Sequence, residues 1–429
     1  MEQITTGTEM HGWAADLFPI CRSLTGPGVR QTLDYLAGLM PGLRTHAVAS
    51  GTQVFDWTVP DEWSVRDAFI ANEAGQRVVD FKAHNLHLMG YSEPMDRVME
   101  LSELQPHLYS DPAMPDSIPY VTSYFKRNWG FCLPHSQRQS LAEGRYRVVI
   151  DATLAPGVLN YGDLIIPGQD PREILLSTYV CHPSMANNEL SGPVLAAALA
   201  RWLVSAPRRF TYRIVFVPET IGAVAYLSRN LDAMKRNTIA GFVLTCVGDD
   251  RAWSFMPSRK GDTLADRVAR HALARYVGSY DSYSFLERGS DERQYCWPGV
   301  DLPVCSVMRS KYGRYPEYHS SADDLTLITP NGLEKAFAQY RRMLSIIEAN
   351  RYWRSTSLCE PQLGKRGLYP QVSTKDSYLV AQKMVDVLAY ADGHTDLLEL
   401  AEWVDMDALA VAAILEKTAA AGLVECVDD

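Results

Sequence analysis

Two histidines and a set of carboxylates carry the chemistry that can be read from this sequence. His182 stands in CHPSMANNELSG, directly after the apolar, β-branched run 174–180, and His319 stands in YPEYHSSADDL. Glu219 closes IVFVPE, and Asp249 and Asp250 close VLTCVGDD. A neutral imidazole can ligate a metal or carry a proton, and a carboxylate can ligate or act as a general base. A lone histidine is more often structural. Here four strand ends carry His, Glu, Asp-Asp and His, and convergence of ligand types at one sheet edge is stronger evidence than any single motif. Glu189, at the lip of the following helix, has two readings. It is either a buried carboxylate neutralised by a metal or a cap on the helix dipole.

These residues need elements to position them, and the chain supplies an alternating rhythm. Strand 174–180 leads to helix 193–204, opened by Ser191-Gly192-Pro193, and strand 212–217 leads to helix 223–230. Strand 240–247 precedes helix 263–276; a helical piece at 291–296, strand 303–308 and helix 333–350 follow. Alternation of this kind predicts an α/β fold, a mixed, mostly parallel sheet with helices on both faces. Upstream, 10–40 reads as two helices around Gly26-Pro27-Gly28, joined by the loop 21–26, which either holds an anion or merely connects. The stretch 45–151 reads as an inserted β-rich subdomain with a hairpin at 67–72 and 76–81. Within it His84 and His87 lie three apart, on opposite faces of an expected strand, and so do not form a metal pair. The last stretch, after the linker 361–373, has the pattern of a winged-helix unit, three helices and a short strand. The expected domains are 1–44 with 152–355, the insertion 45–151, and 372–429.

Composition removes several classes. Apolar residues make up 47% and charged residues 21%, as in a soluble globular protein. No apolar run approaches the roughly 20 residues of a membrane span, and a basic start followed by an apolar block is missing, so a cytoplasmic location is expected. The eight cysteines form no C-x-x-C pair, which argues against a thiolate zinc site or a disulfide framework. A net charge of −10 opposes nucleic-acid binding, and residues 375–429 hold 12 acidic side chains against three lysines and no arginine. A small-molecule substrate and self-association into a homo-oligomer are the partners left. Cys181 as a nucleophile beside His182 is disfavoured, because adjacent strand residues point to opposite faces.

The stretches CHPSMANNELSG, FVPETIGAVAYL, TCVGDDRAW, GSDERQYCWPGVDLPV and YPEYHSSADDL resemble zinc-dependent aminopeptidases of the phosphorylase-like fold. The likeness is greatest to a bacterial aminopeptidase-like branch with an inserted β domain and a C-terminal winged-helix-like domain, and it spans nearly the whole chain. It implies that His182 is the first metal histidine and His319, with Asp323 or Asp324, the last. Where the family has an aspartate two residues after the first histidine, this chain has Ser184. The bridging aspartate is replaced by Asn188 with Glu189 beside it, the Glu-Glu pair is Pro218-Glu219, and another aspartate is Thr245. Without an anionic bridge two dications repel, so a single zinc is expected. His182, Glu189 and His319, with Asp250 as a further carboxylate, are the expected metal residues, and Glu219 is the expected base. Asp291 and Glu292 are expected to meet a substrate amino group, with Arg293, Lys311 and Tyr318 at the rim. The implied function is hydrolysis of an amide bond in a small peptide or amino-acid-conjugated substrate. The alternative is a degenerate peptidase fold serving as a binding or assembly module through its acidic C-terminal domain.

Overall fold

The computed structural model describes residues 5–368 and 375–427, the last including 375–380 as backbone only. The end of the expected linker, 369–373, lies outside the described residues, as does 374. The chain divides into two units, Met1–Asp266 with Tyr280–Ala338, and Arg267–Ser279 with Gln339–Asp429.

The first unit is built on an eight-stranded sheet in the order Arg44–Ala49, Val158–Ile166, Phe210–Val217, Asp170–Tyr179, Thr238–Val243, Val304–Met308, Ser254–Met256, Asp281–Ser282. The four central strands, Phe210–Val217 to Val304–Met308, run parallel, and antiparallel pairings flank them. Phe210–Val217 is buried at every position, which is why its sequence reads as a nearly continuous apolar run instead of an alternation. Parallel strands deliver their carboxyl ends to one edge. That edge receives His182, Glu219, Thr245 and Arg309 from four successive strands.

Helix Ser191–Leu203 packs against the sheet with all of its residues buried except Arg201. Close approach demands Gly192, because a Cβ there would stand 2.2 Å from the Leu244 carbonyl oxygen and 2.3 Å from Thr178 Oγ1. A π-helical turn, Ala186–Leu190, precedes this helix, so the polar stretch between strand and helix is wound and buried.

The hairpin expected near 67–81 forms between Glu62–Ala71 and Arg77–Asp80, and two more strands, Arg145–Ala155 and Met95–Glu100, complete a four-stranded antiparallel sheet. His84 and His87 sit on a 3-10 turn and not on a strand. Asn85 Nδ2 ties that turn to the Pro19 carbonyl and Ser184 Oγ, a tertiary anchor that overrides the local alternation.

The second unit holds helices Lys375–Ala389, Leu397–Trp403 and Ala408–Ala420 and a three-stranded sheet. Its central strand is Tyr352–Ser355, which the sequence reading assigns to the α/β block, paired with Asp392–Asp396 and Val424–Val427. Asp392–Asp396 reads DGHTD and offers no β pattern, so only tertiary pairing reveals it. Asp396 is the hub. It accepts both guanidinium arms of Arg267 at 2.8 Å, takes Asn350 Nδ2, and caps helix Leu397–Trp403 through the Glu399 amide.

Burial pushes the Asp396 carboxyl up, but Arg267 and the cap more than offset this and leave it below its ordinary value. Its stabilisation is therefore complete above the unfolded-state value near 4 and is lost as pH falls through the lower folded-state value. Asp396→Ala is expected to cost about 3–5 kcal/mol at pH 7. In denaturant titrations the deficit against wild type should shrink once the pH is low enough to protonate Asp396.

Candidate metal and catalytic site

The centre of the site is a buried chain of three groups. His182 Nδ1 and Glu189 Oε2 are 2.7 Å apart, and Arg22 Nε stands 3.6 Å from Glu189 Oε1. Arg22 also donates to the Leu17 carbonyl at 2.7 Å and to the His182 carbonyl at 2.9 Å. Burial pushes the Glu189 carboxyl up to about 8, even against the pull of the Arg22 guanidinium and the His182 and Cys181 amides. In its ionised, arginine-paired form Glu189 only accepts, and the imidazole proton then sits on Nδ1 with the Nε2 lone pair facing the cavity. The loop 21–26 connects its two helices, and its Arg22 is spent on Glu189. Glu189 does not cap its helix; its place is behind His182.

Nε2 of His182 lies 3.7 Å from Glu219 Oε2, and the His182 and His319 ring centroids are 5.5 Å apart. Burial pulls His182 and His319 each down to about 3, so both imidazoles are neutral at physiological pH. It pushes Glu219 up to about 7 against the pull of Arg293. The three side chains project from segments fixed in different ways. Glu219 follows its strand directly and is held by its amide on Cys181 Sγ at 3.2 Å. The His319 carbonyl accepts from the Tyr120 amide at 2.8 Å, and the Tyr120 ring lies 5.2 Å from both imidazoles. Nothing in the local sequence signals that Tyr120, from the insertion, reaches the site.

Backbone strain collects at this edge. Ser184, Thr220 and His319 have φ of +45°, +66° and +57°, a region that costs a non-glycine residue roughly 1–2 kcal/mol. Buried acids hold the strained segments. Asp323 accepts from the amides of Ala186, Asn187 and Asn188 at 3.2, 2.6 and 2.9 Å, clamping the π-helical turn. Asp291 Oδ1 accepts from the Thr220 amide at 2.7 Å, while its buried Oδ2 has no hydrogen-bond partner among the described residues.

Other expected site residues go elsewhere. Asp250 serves Thr329 and Asn331 and faces Lys335 and Arg309, because its neighbour Asp249 takes the inward position and binds Asn187 Nδ2 and the Ser310 amide. Glu292 Oε1 is taken by two amides and the Tyr312 hydroxyl. Lys311 is buried with its ammonium 4.1 Å from the Tyr312 ring centre, and Tyr318 stacks on His319 at 3.9 Å. Arg293 remains at the cavity, a space of about 230 Å³ that His182, Glu219 and Thr220 also line. Cys181 does approach His182, with Sγ 3.4 Å from Nδ1. Burial holds its thiol far above the ordinary range, and Glu189 already occupies Nδ1, so no thiolate pair forms.

Residues 11–350 match the family described as a domain of unknown function (DUF4910), and 351–426 match a winged helix-turn-helix family. The chain belongs to the DUF4910 family. A Clostridium acetobutylicum protein named "Putative polysaccharide biosynthesis protein with aminopeptidase-like domain" is 44% identical over 398 residues, 92% of this chain and 91% of that protein. A crystal structure of a "putative peptidase" from the same organism superposes with a TM-score of 0.93 at 42% identity, covering 98% of this chain and 96% of the other. BSAP, a zinc aminopeptidase from Bacillus subtilis, matches in fold, with a TM-score of 0.59 at 12% identity over 80% of this chain and 95% of its own. The fold of this DUF4910 member is therefore that of the aminopeptidase-like superfamily.

Within that fold, the donors decide which ion the site suits. Among the described residues, one group of three His, Cys, Asp or Glu side chains has ligand atoms all within 4.8 Å, namely Cys181, His182 and Glu189. It suits a dication poorly, since Nδ1 is engaged, the thiol is protonated and Arg22 adds a positive charge. The cavity side is better matched. Two ligands of one tetrahedral zinc stand about 3.4 Å apart, close to the 3.7 Å between His182 Nε2 and Glu219, and His319 lies alongside. Two neutral imidazoles and a carboxylate are the donor types of a His2Glu site, but their ligand atoms do not all lie within 4.8 Å of one another, so His319 would have to move inward for the three to close on one ion. Further in, Asn188 Oδ1, the Tyr179 hydroxyl and Thr245 Oγ1 form a neutral hydrogen-bonded chain with spacings of 3.1 and 2.5 Å. It offers no anionic bridge for a second ion.

Arg22→Met should destabilise the fold by about 3–5 kcal/mol, because it leaves the buried Glu189 without its counter-charge. Adding Glu189→Gln should recover most of that loss in denaturant titrations of the double variant.

Proposed function

We propose that this protein is a metal-dependent amide hydrolase of the aminopeptidase-like type, acting on a small peptide or amino-acid-conjugated substrate with one zinc ion. The observation that carries the proposal is the His182 Nε2 to Glu219 approach of 3.7 Å beside His319, with Glu189 and Arg22 orienting His182 from behind. His182, Glu219 and His319 would hold the ion. Bound zinc would polarise the substrate carbonyl and acidify a water. With Glu219 holding the ion, proton transfer falls to Asp291. Asp291 is tied to the residue after Glu219 and has a free buried oxygen, so it can relay a proton to the leaving amine. Arg293, on the cavity wall, supplies positive charge for the oxyanion.

The neutral chain through Asn188, Tyr179 and Thr245 supports one ion instead of two. The same loss of carboxylates motivates a second reading, in which the fold is retained without catalysis and the acidic C-terminal unit recruits a partner.

Metal analysis of protein purified without chelator should find about one zinc per chain. His319→Ala and Glu219→Gln should lose it. Asp291→Asn should keep the metal and lower amide hydrolysis by about 10²–10⁴-fold on a panel of aminoacyl anilides. A folded wild type that takes up no zinc would favour the second reading.

A further inference from the structure

A second cavity of about 550 Å³ adjoins the first, and Trp57 and Arg293 line both. One side is a face of helix Ile221–Asn237, presenting Val224, Leu227 and Leu231. The opposing lining includes Phe55 and Trp297, and these two are left 53% and 57% exposed. Large aromatic side chains facing one groove and still wet are the mark of a surface made for a ligand.

Phe55 strengthens the point. It sits in the two-residue turn between Gln53–Val54 and Trp57–Thr58 at φ +55°, where glycine or asparagine is the usual occupant. A strained backbone that presents a half-exposed ring gains nothing from packing inside the protein. At the entrance to the first cavity Phe125, 61% exposed, meets Trp57 edge-on at 5.7 Å, so aromatic surface continues from one cavity to the other.

Charge specifies the rest of the ligand. Arg288 and Arg293 both line the second cavity, against the single acid Asp56. Neither guanidinium lies within 4.0 Å of a carboxylate among the described residues. Arg288 donates to the Phe285 carbonyl and lies over its ring, while Arg293 donates to the Thr220 hydroxyl and keeps a buried Nε with no hydrogen-bond partner among the described residues. Arg288, with no carboxylate beside it, next to flat apolar walls suits an aromatic anion, which takes ring stacking from the walls and a charge-assisted hydrogen bond from its guanidinium group.

We propose that this cavity is the specificity pocket of the same site, taking a flat aromatic group that bears an anionic substituent and is linked past Trp57 and Arg293 to the carbonyl that reaches Glu219. Its role in a reaction rests on the hydrolase reading; its binding of such a group does not.

The test uses the full chain and two fluorescent probes, 8-anilinonaphthalene-1-sulfonate, aromatic and anionic, and N-phenyl-1-naphthylamine, its neutral counterpart. Wild type should bind both saturably, and Trp297→Ala, at an exposed position, should weaken both at least tenfold. Arg288→Gln should weaken the sulfonate at least fivefold and leave the neutral probe unchanged, while Trp403→Ala, at an exposed position of the second unit, should alter neither. Wild-type affinity for both probes in Trp297→Ala, with native circular dichroism, would overturn the pocket. An unchanged sulfonate affinity in Arg288→Gln would overturn its anionic half. If zinc analysis fails and this pattern holds, the hydrolase reading falls and the pocket stands; the reverse result removes the pocket alone.

Discussion

A guanidinium sealed away from water must be answered by an anion and by carbonyls, and much of the first unit is arranged to do so for Arg22. Its partners are the Glu189 carboxylate and the carbonyls of Leu17 and His182, so one side chain joins the N-terminal helices, the end of a central strand and the turn that starts the next helix. The attraction is strong because water is excluded, and the desolvation cost is high for the same reason. Such a pair contributes less net stability than uniqueness of arrangement, because any other packing would leave a charge alone. His182 is oriented as a by-product: with Nδ1 committed to Glu189, only Nε2 is left to face the cavity.

The fold was largely legible. Strands 174–180 and 212–217, the helices after them and the edge they create follow from apolar runs alternating with amphipathic stretches, and the structure places them there. The site was legible only in part, and the misses share a physical cause. Periodicity reports which residues are buried, not which partners tertiary structure brings to them. Hence Glu189 reads as a ligand or a cap until Arg22, 167 positions away in sequence, is seen beside it. Asp249 and Asp250 are indistinguishable in composition, and only the backbone direction at the strand end turns one inward. Tyr120 comes from the insertion through a backbone pairing that no local pattern encodes. The loop 21–26 did carry a signal, an arginine in an otherwise uncharged connection.

Strain and anchoring go together at this edge. Ser184, Thr220 and His319 adopt left-handed backbone conformations, and each lies in a segment fixed by hydrogen bonds from elsewhere. Asn85 holds Ser184, Asp291 holds the Thr220 amide, and Ile118 and Tyr120 bracket His319 through the Ser321 and Tyr120 amides. Such conformations persist only where the surroundings over-determine them. The rigidity that results suits a site whose donors must stay apart without collapsing onto one another.

The clamp of Asp323 on the turn at 186–188 joins residues about 137 positions apart, and the Arg22 bonds to His182 join residues 160 apart. Closures of that length come late, since chain entropy opposes them until the intervening sheet is in place. His182 and His319 therefore meet only once the chain is nearly native. A metal offered to the unfolded polypeptide would find scattered single ligands, and tight binding must follow assembly, not direct it.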